Sequence, residues 1–184
     1  MSIVSATNEA IADMNTSGAP FDIEMAFRTN YGRVTRVIRR VVGDPGRAEE
    51  LAVEVFLKLW RDQKAQGESM DGWLYRTAVR KGLDELRKRT RRTRYEGLLS
   101  VFVMNSPPAT PEELRSVKEE QEKVRLILAL IEPRQAEFLV LRSNGFSYEE
   151  VASILRLNPT SVGTLLGRAQ QAFRKEYIKR YGQE

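Results

Sequence analysis

The spacing of apolar residues is the sequence feature that most constrains the fold of this chain. In the first patterned stretch, apolar side chains recur at alternating steps of four and three residues, the period of a helix with one buried face. No segment alternates apolar and polar residues with the period of two that marks a strand. The sequence therefore predicts an all-α protein. The repeating residues of the first helix are Phe27, Tyr31, Val34, Ile38 and Val41.

Short motifs predict where the next helices begin and end. Asp44 can cap a second helix, with Pro45 at the first helical position, where a missing amide hydrogen costs nothing. This helix runs to about Trp60. Residues 63–70 are polar and form a loop, in which Ser69 is placed to cap a third helix. The first half of the chain is thus predicted to contain three consecutive helices.

A proline pair divides the chain into two parts. Residues 106–108 are Ser-Pro-Pro, which cannot lie inside a helix because proline lacks an amide hydrogen and clashes with the preceding turn. We therefore place a flexible linker at residues 95–111, between one small helical domain at 21–94 and a second at 112–184. A capping box at residues 110–113 opens the first helix of the second domain.

The C-terminal domain has the pattern of a helix-turn-helix. Pro133 begins one helix, and Ser147 with Glu150 then forms a capping box before a short apolar helix. Residues 156–158 form a turn, and Pro159 begins the last helix. In such a motif the second helix enters the major groove of DNA.

The composition excludes most catalytic and metal chemistry. The 184 residues include no Cys and no His, which excludes disulfides, thiolates, Cys/His zinc sites and imidazole catalysis. The carboxylates fall on solvated stripes or in capping positions, which disfavours a metal-dependent nuclease or hydrolase. We predict a protein that is not an enzyme and needs neither a metal nor a cofactor.

The terminal and apolar segments predict a location for the chain. Residues 1–20 contain no Lys or Arg and no long apolar run, so we expect a disordered tail rather than a secretory signal. The longest apolar stretch, residues 126–131, is far too short to span a bilayer, and the absence of Cys fits a reducing compartment. We predict a cytoplasmic protein with no membrane partner.

The third helix carries the most concentrated charge. Residues 73–94 hold nine Lys or Arg and two acids, a net charge of +7, whereas the whole chain carries only +5. Such a local patch is typical of phosphate binding, in which counterion release supplies affinity. The alternative is a merely solvated basic face. The stripe expected to face the core consists of Tyr75, Ala78, Val79, Gly82, Leu83 and Leu86.

Trp73 lies on the predicted outer stripe of the same helix. An exposed aromatic ring beside cations can stack on an unpaired base, which contributes about 1–3 kcal/mol per base. This favours single-stranded or melted DNA over an intact duplex as the partner. The alternative is a Trp in the core.

The last helix has a second candidate surface for nucleic acid. Arg can bind guanine with two hydrogen bonds, and Thr can contact a phosphate or a thymine methyl group. The alternative is an ordinary amphipathic terminal helix. The predicted outward stripe is Thr160, Thr164, Arg168, Gln171 and Lys175.

Three motifs, in this order, resemble the extracytoplasmic-function (ECF) sigma factors of bacterial RNA polymerase. Residues 47–60 are similar to their polymerase-binding helix in region two, and residues 73–87 to their promoter-melting helix. Residues 146–152 and 161–169 resemble the helix-turn-helix of region four. The resemblance covers about residues 21–180 and implies promoter DNA and the core polymerase subunits β′ and β as partners.

The resemblance also implies roles for individual residues of the N-terminal domain. The second helix would dock its acidic and apolar side chains on a basic coiled coil of β′. The docking residues would be Glu49, Glu50, Leu51, Glu54, Val55, Phe56 and Trp60. The residues on minus-ten DNA would be Trp73, Arg76, Thr77, Arg80, Lys81, Asp84, Arg87, Lys88 and Arg91.

For the C-terminal domain the resemblance implies recognition of the minus-thirty-five element. The linker would thread toward a channel of the polymerase, and an anti-sigma factor that covers both domains is a further implied partner. The residues on minus-thirty-five DNA would be Arg156, Thr160, Ser161, Thr164, Arg168, Gln171 and Lys175.

The sequence departs from the family pattern at a few positions. Val53 stands where family members often have Gln, and Arg80 where they often have Asn. Gly163 takes a position that is commonly basic, and residues 164–166 replace a more polar run. These departures affect the expected promoter sequence more than the expected class.

A second function remains open at this point. An ordinary DNA-binding regulator would use only the helix-turn-helix, with the N-terminal half serving for dimerisation or sensing. Such a dimer would bind a palindrome with half-sites one helical turn apart, without polymerase.

Overall fold

Helices account for nearly all of the ordered structure. The computed structural model describes residues 21–67, 69–99 and 112–182. Among the described residues no β-strand occurs, so the predicted all-α class is confirmed. The elements are α1 (Ile23–Val42), α2 (Pro45–Arg61), a 3₁₀ turn (Gln63–Ala65), α3 (Met70–Leu99), α4 (Glu112–Leu130), α5 (Pro133–Ser143), α6 (Tyr148–Leu155) and α7 (Pro159–Tyr181).

Helices α1 to α3 form the N-terminal domain. Asp22 caps α1 by accepting a hydrogen bond from a backbone amide at 3.0 Å, so α1 begins before the apolar pattern that starts at Phe27. Gly43 ends α1 with a left-handed backbone at φ 81°. Asp44 caps α2 with Pro45 in the first helical turn, as predicted. These local signals fix the corner between α1 and α2.

Helix α3 packs across α1 and α2 and forms the centre of the domain. A Cβ added at Gly82 would meet the Val41 side chain at 3.3 Å, so the glycine lets α3 approach α1 closely. The predicted inward stripe of α3 is confirmed by its burial. The predicted residues Tyr75, Ala78, Val79, Gly82, Leu83 and Leu86 are all buried, and so is Leu74, which the prediction left out.

Helix α3 is longer than predicted. It continues to Leu99, so the predicted linker at 95–111 begins too early by the length of this extension. Residues 95–99 contain no proline, and the signal for a linker lay at 106–108, which falls outside the described residues together with Thr110 of the predicted capping box.

Helices α4 to α7 form the C-terminal domain. The predicted capping box is present, since the Ser147 hydroxyl accepts from the Glu150 amide at 3.1 Å and the Glu150 carboxylate accepts from the Ser147 amide at 2.6 Å. Arg156 adopts a left-handed backbone at φ 54° between α6 and α7, and Asn158 caps α7 with Pro159 in its first turn. The predicted turn of the helix-turn-helix is therefore confirmed.

The apolar pattern of α4 is only partly buried. Val117 is 56% exposed and Val124 36%, whereas Ile127, Leu128 and Ile131 belong to the core. The C-terminal end of α4 therefore anchors this helix.

The two domains also pack directly on each other, which the sequence did not predict. Helix α3 contacts α4, α5 and α6, and the buried side chains of both domains form one continuous cluster. Tyr75 on α3 and Phe146 before α6 meet edge to face, with ring centroids 5.0 Å apart. The described residues thus form one folded body with two helical parts.

Candidate nucleic-acid interface

The basic face of α3 is divided into two halves with different surroundings. In the C-terminal half Lys88 and Arg91 are exposed, and Asp84 has a 75% exposed side chain. Arg87 is mostly covered and lies 3.4 Å from the Asp84 carboxylate. This half therefore presents Lys88 and Arg91 to solvent as predicted, but not Arg87.

In the N-terminal half, two arginines bind oxygen atoms of the C-terminal domain. Arg76 donates from Nη1 to the Ile154 carbonyl oxygen at 2.8 Å, and burial lowers the pKa of Arg76. Arg80 donates from Nε to Oε1 of Glu137 at 2.8 Å. Both were predicted to contact minus-ten DNA, and in this structure their guanidinium groups already have protein partners.

Trp73, Thr77 and Lys81 are half-buried rather than fully exposed. The Trp73 ring packs against the edge of the core, with Lys58 Nζ 5.8 Å from its centroid. Lys81 forms an ion pair with Glu54 on α2. Trp73 is therefore neither fully exposed nor a core residue, since its ring packs on the core and keeps part of its surface in solvent.

The outward stripe of α7 is open to solvent. Ser161 is half-buried, and Arg168, Gln171 and Lys175 have no hydrogen bond or ion pair with other described residues. The exposed candidates are Arg156, Thr160, Thr164, Arg168, Gln171 and Lys175.

The predicted docking face of α2 needs a correction. Leu51, Val55 and Phe56 are 2%, 0% and 3% exposed, because they pack against α1 and α3 in the core. The prediction that they share a docking face is therefore wrong for these three residues. Glu49, Glu50 and Trp60 are exposed, and Glu54 is half-buried beside Lys81.

Two apolar residues outside the predicted set, Val53 and Leu57, lie on the outer side of α2 beside Trp60. Val53 is 41% exposed, Leu57 43% and Trp60 59%, and the three side chains border a groove of about 360 Å³ between α1 and α2. Ile23 and Phe27 form the other wall. The spacing of Val53, Leu57 and Trp60 at steps of four and three marks one helix face, and this signal was available in the sequence.

Arg47 is a further residue that the sequence analysis missed. Its guanidinium donates to both carboxylate oxygens of Glu85 on α3, at 3.0 and 3.1 Å, and to Glu50 at 2.7 Å. The hydrogen bond from Arg47 lowers the pKa of the Glu85 carboxyl. Arg47 therefore fixes the start of α2 against the basic helix.

The part of the chain that the structure describes contains no cluster of acidic side chains that could hold a metal ion. None of its helices has the length and apolar character needed to cross a membrane.

Two family models match the chain. Sigma-70 region 2 matches residues 26–92, which include α2 and nearly all of the basic face of α3. Sigma-70, region 4 matches residues 121–172, which include α5, α6 and the outward stripe of α7 as far as Gln171. The region 2 match therefore contains the candidate DNA surface on α3, and the region 4 match contains the one on α7.

Curated relatives of this chain are ECF sigma factors. The chain is 28% identical over 162 residues to the ECF RNA polymerase sigma factor SigE of Mycolicibacterium smegmatis. The matched residues cover 85% of this chain and 62% of SigE. It is 29% identical over 153 residues to the ECF sigma factor SigK of Mycolicibacterium vanbaalenii, covering 79% of this chain and 74% of SigK.

A solved structure was also found. It is the sigma factor RpoE in complex with the anti-sigma factor NepR from Bartonella quintana, at a TM-score of 0.48 and 19% identity, covering 85% of this chain and 96% of that chain. The two matched regions and the curated relatives give one answer: this chain belongs to the family of ECF RNA polymerase sigma factors.

Proposed function

We propose that this chain binds core RNA polymerase in the cytoplasm, directs it to specific promoters, and helps to open the minus-ten element. The observation that carries this proposal is the outer face of α2. Val53, Leu57 and Trp60 are exposed on a helix whose opposite face is buried, with Glu49 and Glu50 one turn away. A contiguous exposed apolar face with a polar rim is typical of an interaction site, which supports a docking role for α2.

The chemistry of this face fits a basic helical partner, such as the β′ coiled coil. A large exposed aromatic residue in a groove is the usual centre of binding energy at an interface, and acidic side chains at its rim steer a basic partner. Trp60 would be the central residue, and Glu49 and Glu50 would supply the rim. The β subunit and an anti-sigma factor stay predictions from the family resemblance.

The two DNA surfaces would then act at different elements. On α3, Lys88 and Arg91 would neutralise phosphates, while Trp73 would stack on a base that leaves the helix during melting. On α7, Thr160 and Arg168 would contact base edges in the major groove of the minus-thirty-five element. Each surface has the side-chain types that its role requires.

The two tryptophans provide the test of this proposal. Trp60→Ala should weaken the binding of core polymerase by about 30-fold, because an interface hot spot contributes at least about 2 kcal/mol. Trp73→Ala should leave polymerase binding unchanged and reduce strand opening, because stacking needs an unpaired base. Fluorescence anisotropy with labelled chain measures the first effect, and permanganate footprinting of the promoter measures the second.

The same reagents separate the two candidate functions. Start-site-specific transcription that requires both core polymerase and this chain supports the sigma factor. Absence of a complex between the chain and core polymerase would refute it. Binding of a dimer to a palindrome without polymerase would instead support the simple regulator.

A further inference from the structure

Arginines from two helices line one groove between α1 and α4. Arg36, Arg39 and Arg40 lie within the last two turns of α1, and Arg125 lies on α4. The groove has a volume of about 570 Å³. None of its residues belongs to the docking face of α2 or to either candidate DNA surface. The rest of its lining is Gly43, Glu120, Gln121, Val124 and Leu128.

Two of the arginines on α1 are not engaged by the protein. Arg36 and Arg39 are exposed and have no hydrogen bond or ion pair with another residue that the structure describes. Arg40 donates to the Ser143 carbonyl oxygen. Like charges on one concave surface repel each other, and a bound anion removes this repulsion. The arginines of α1 are therefore available to an anion in the groove.

Arg125 is held in place by the corner that ends α1. Its side chain is 13% exposed, and its guanidinium donates to Glu122 at 2.9 Å. Gly43 has φ 81°, and a Cβ at this position would lie 2.5 Å from the guanidinium carbon of Arg125. The missing side chain at Gly43 thus leaves room for the guanidinium against the backbone. A cation that is already ordered loses little conformational freedom when it binds a ligand.

The carboxylate in the lining of the groove has partners outside the arginine cluster. Glu120 accepts from the Tyr177 hydroxyl at 2.9 Å and lies 3.2 Å from Lys123 Nζ. Four guanidinium groups and this one carboxylate give the lining a net charge of +3. The positive charge of the groove is therefore not balanced by its own acid.

The cluster exceeds what the end of α1 requires. Cations are common in the last turn of a helix, where free carbonyl groups and the helix dipole favour them. Here the Gly43 amide donates to the Arg39 carbonyl at 2.8 Å, and Arg89 of α3 donates to the Val42 carbonyl at 3.5 Å. Arg36 lies before the last turn, where the dipole has little effect. The end of the helix therefore does not account for the whole cluster.

We propose that this groove is a binding site for a nucleotide with two or more consecutive phosphates. Guanidinium groups bind phosphate oxygens with paired, charge-assisted hydrogen bonds, and several of them on one wall suit a chain of phosphates. On the opposite wall Val124 is 36% exposed and lies with Leu128, so α4 offers an apolar surface to a base.

The size of the groove favours a small ligand. Its volume lies within the range of about 300–1,000 Å³ that is usual for small-molecule sites. A groove of this volume can hold one nucleotide, whereas a DNA duplex would touch only its rim. The site does not depend on the proposed function, because its residues are distinct from those that would bind polymerase or promoter DNA.

Isothermal titration calorimetry of the full chain tests the site. An ionic strength of about 0.15 M screens diffuse attraction beyond a Debye length of about 8 Å. The probes are ATP, AMP and inorganic triphosphate. We expect saturable binding of a single ATP, with an affinity at least about tenfold higher than that for AMP, because AMP offers fewer charge-assisted hydrogen bonds to the arginines.

A double substitution on α1 removes the free guanidinium groups. Arg36→Gln with Arg39→Gln should weaken ATP binding by at least about tenfold, and because both residues are exposed the fold should be retained. The control, Arg61→Gln with Arg174→Gln, removes the same charge from exposed positions outside the groove and should leave the affinity unchanged. Arg36→Lys with Arg39→Lys should lose part of the affinity, because Lys cannot form the paired hydrogen bonds.

Val124→Ala tests the contact with the base. It should weaken ATP binding by up to about fourfold, the value for one buried methylene group, and leave the binding of inorganic triphosphate unchanged. Equal affinities of the variant and the unmodified chain for ATP would overturn the assignment of a nucleotide.

Three further outcomes would overturn the proposal. The first is an equal loss of ATP affinity in the Arg36, Arg39 pair and in the control pair, which would indicate diffuse charge rather than a site. The second is AMP that binds as tightly as ATP. The third is displacement of ATP by a DNA duplex at the same phosphate concentration, which would make the groove part of a nucleic-acid surface. Core-dependent transcription is not among the readouts, so a failure of the proposed function would leave these measurements interpretable.

Discussion

Helices α3 and α7 carry similar side chains but differ in what surrounds them. Arg76 and Arg80 of α3 bind the C-terminal domain, whereas Arg168 and Lys175 of α7 bind no other described residue. Both helices have an apolar face in the same continuous core. The difference shows that a basic stripe on a helix indicates a capacity to bind phosphate, while its availability depends on distant parts of the chain.

The largest expected effect concerns the aromatic contact that joins α3 to the C-terminal domain. Phe146→Ala should lower the free energy of unfolding by about 3–5 kcal/mol, because the ring is 1% exposed and touches Tyr75 and Arg33 of the other domain. Urea unfolding should remain a single transition. Phe173→Ala, a half-buried ring on α7, is the control and should cost less.

Two separate unfolding transitions, of which only one responds to Phe146→Ala, would break the comparison. The C-terminal domain that packs on α3 would then unfold independently of the N-terminal domain, and the two would not share one core.

The next effect concerns the uncovered helix. Arg168→Ala should weaken promoter binding by the holoenzyme by about 1–3 kcal/mol, if its guanidinium contacts a guanine with two hydrogen bonds. Arg168 is exposed in this structure, so its guanidinium is available for such a contact. Gel-shift titrations measure it, with Lys179→Ala at the far end of α7 as the control.

Unchanged promoter binding by Arg168→Ala would mean that this arginine is only solvated, and the contrast between an available α7 and a covered α3 would lose its functional meaning.

A smaller effect separates the two halves of α3. Lys88→Ala should reduce the slope of log affinity against log salt by about 0.7–0.9, because one phosphate contact is lost. The effect should appear in the chain alone, since Lys88 is exposed in this structure. Lys118→Ala on α4 serves as the comparison, and an unchanged slope for Lys88→Ala would indicate a merely solvated residue.

The smallest effect concerns an ion pair within one domain, which serves as a reference for the pairs between domains. Arg47 lowers the pKa of Glu85, so the stabilisation is complete above the ordinary carboxyl pKa and is lost as pH falls through the lowered folded-state value. Glu85→Gln should therefore cost up to about 1 kcal/mol near neutral pH and nothing in strong acid. Urea unfolding as a function of pH tests this, and a pH-independent cost would exclude the electrostatic explanation.

Local features of the fold could be predicted from the sequence. The caps at Asp44 and Ser147 depend on residues within one turn, and the inward stripe of α3 depends on its own period. The contact of Arg76 with Ile154 joins residues 78 positions apart, so no local pattern contains it. The availability of α3 was for this reason not predictable.

The docking face shows a different limit. On α2 both faces carry apolar residues. The resemblance to the family motif therefore put the buried Leu51, Val55 and Phe56 among the predicted docking residues together with the exposed Trp60. The exposure of Val53 runs against the rule that periodic apolar residues are buried. Only the packing of α1 and α3 on one side of α2 separates the two faces.

The order of the helices along the chain has a consequence for protein synthesis. The ribosome adds about 5–20 residues per second, so α3 is complete roughly 3–11 s before Ile154 is made. During this interval Arg76 lacks the Ile154 carbonyl oxygen that it binds in the finished protein, and the nascent N-terminal domain carries this guanidinium uncovered. A chain stalled between α3 and α6 would therefore expose more basic surface than the finished protein.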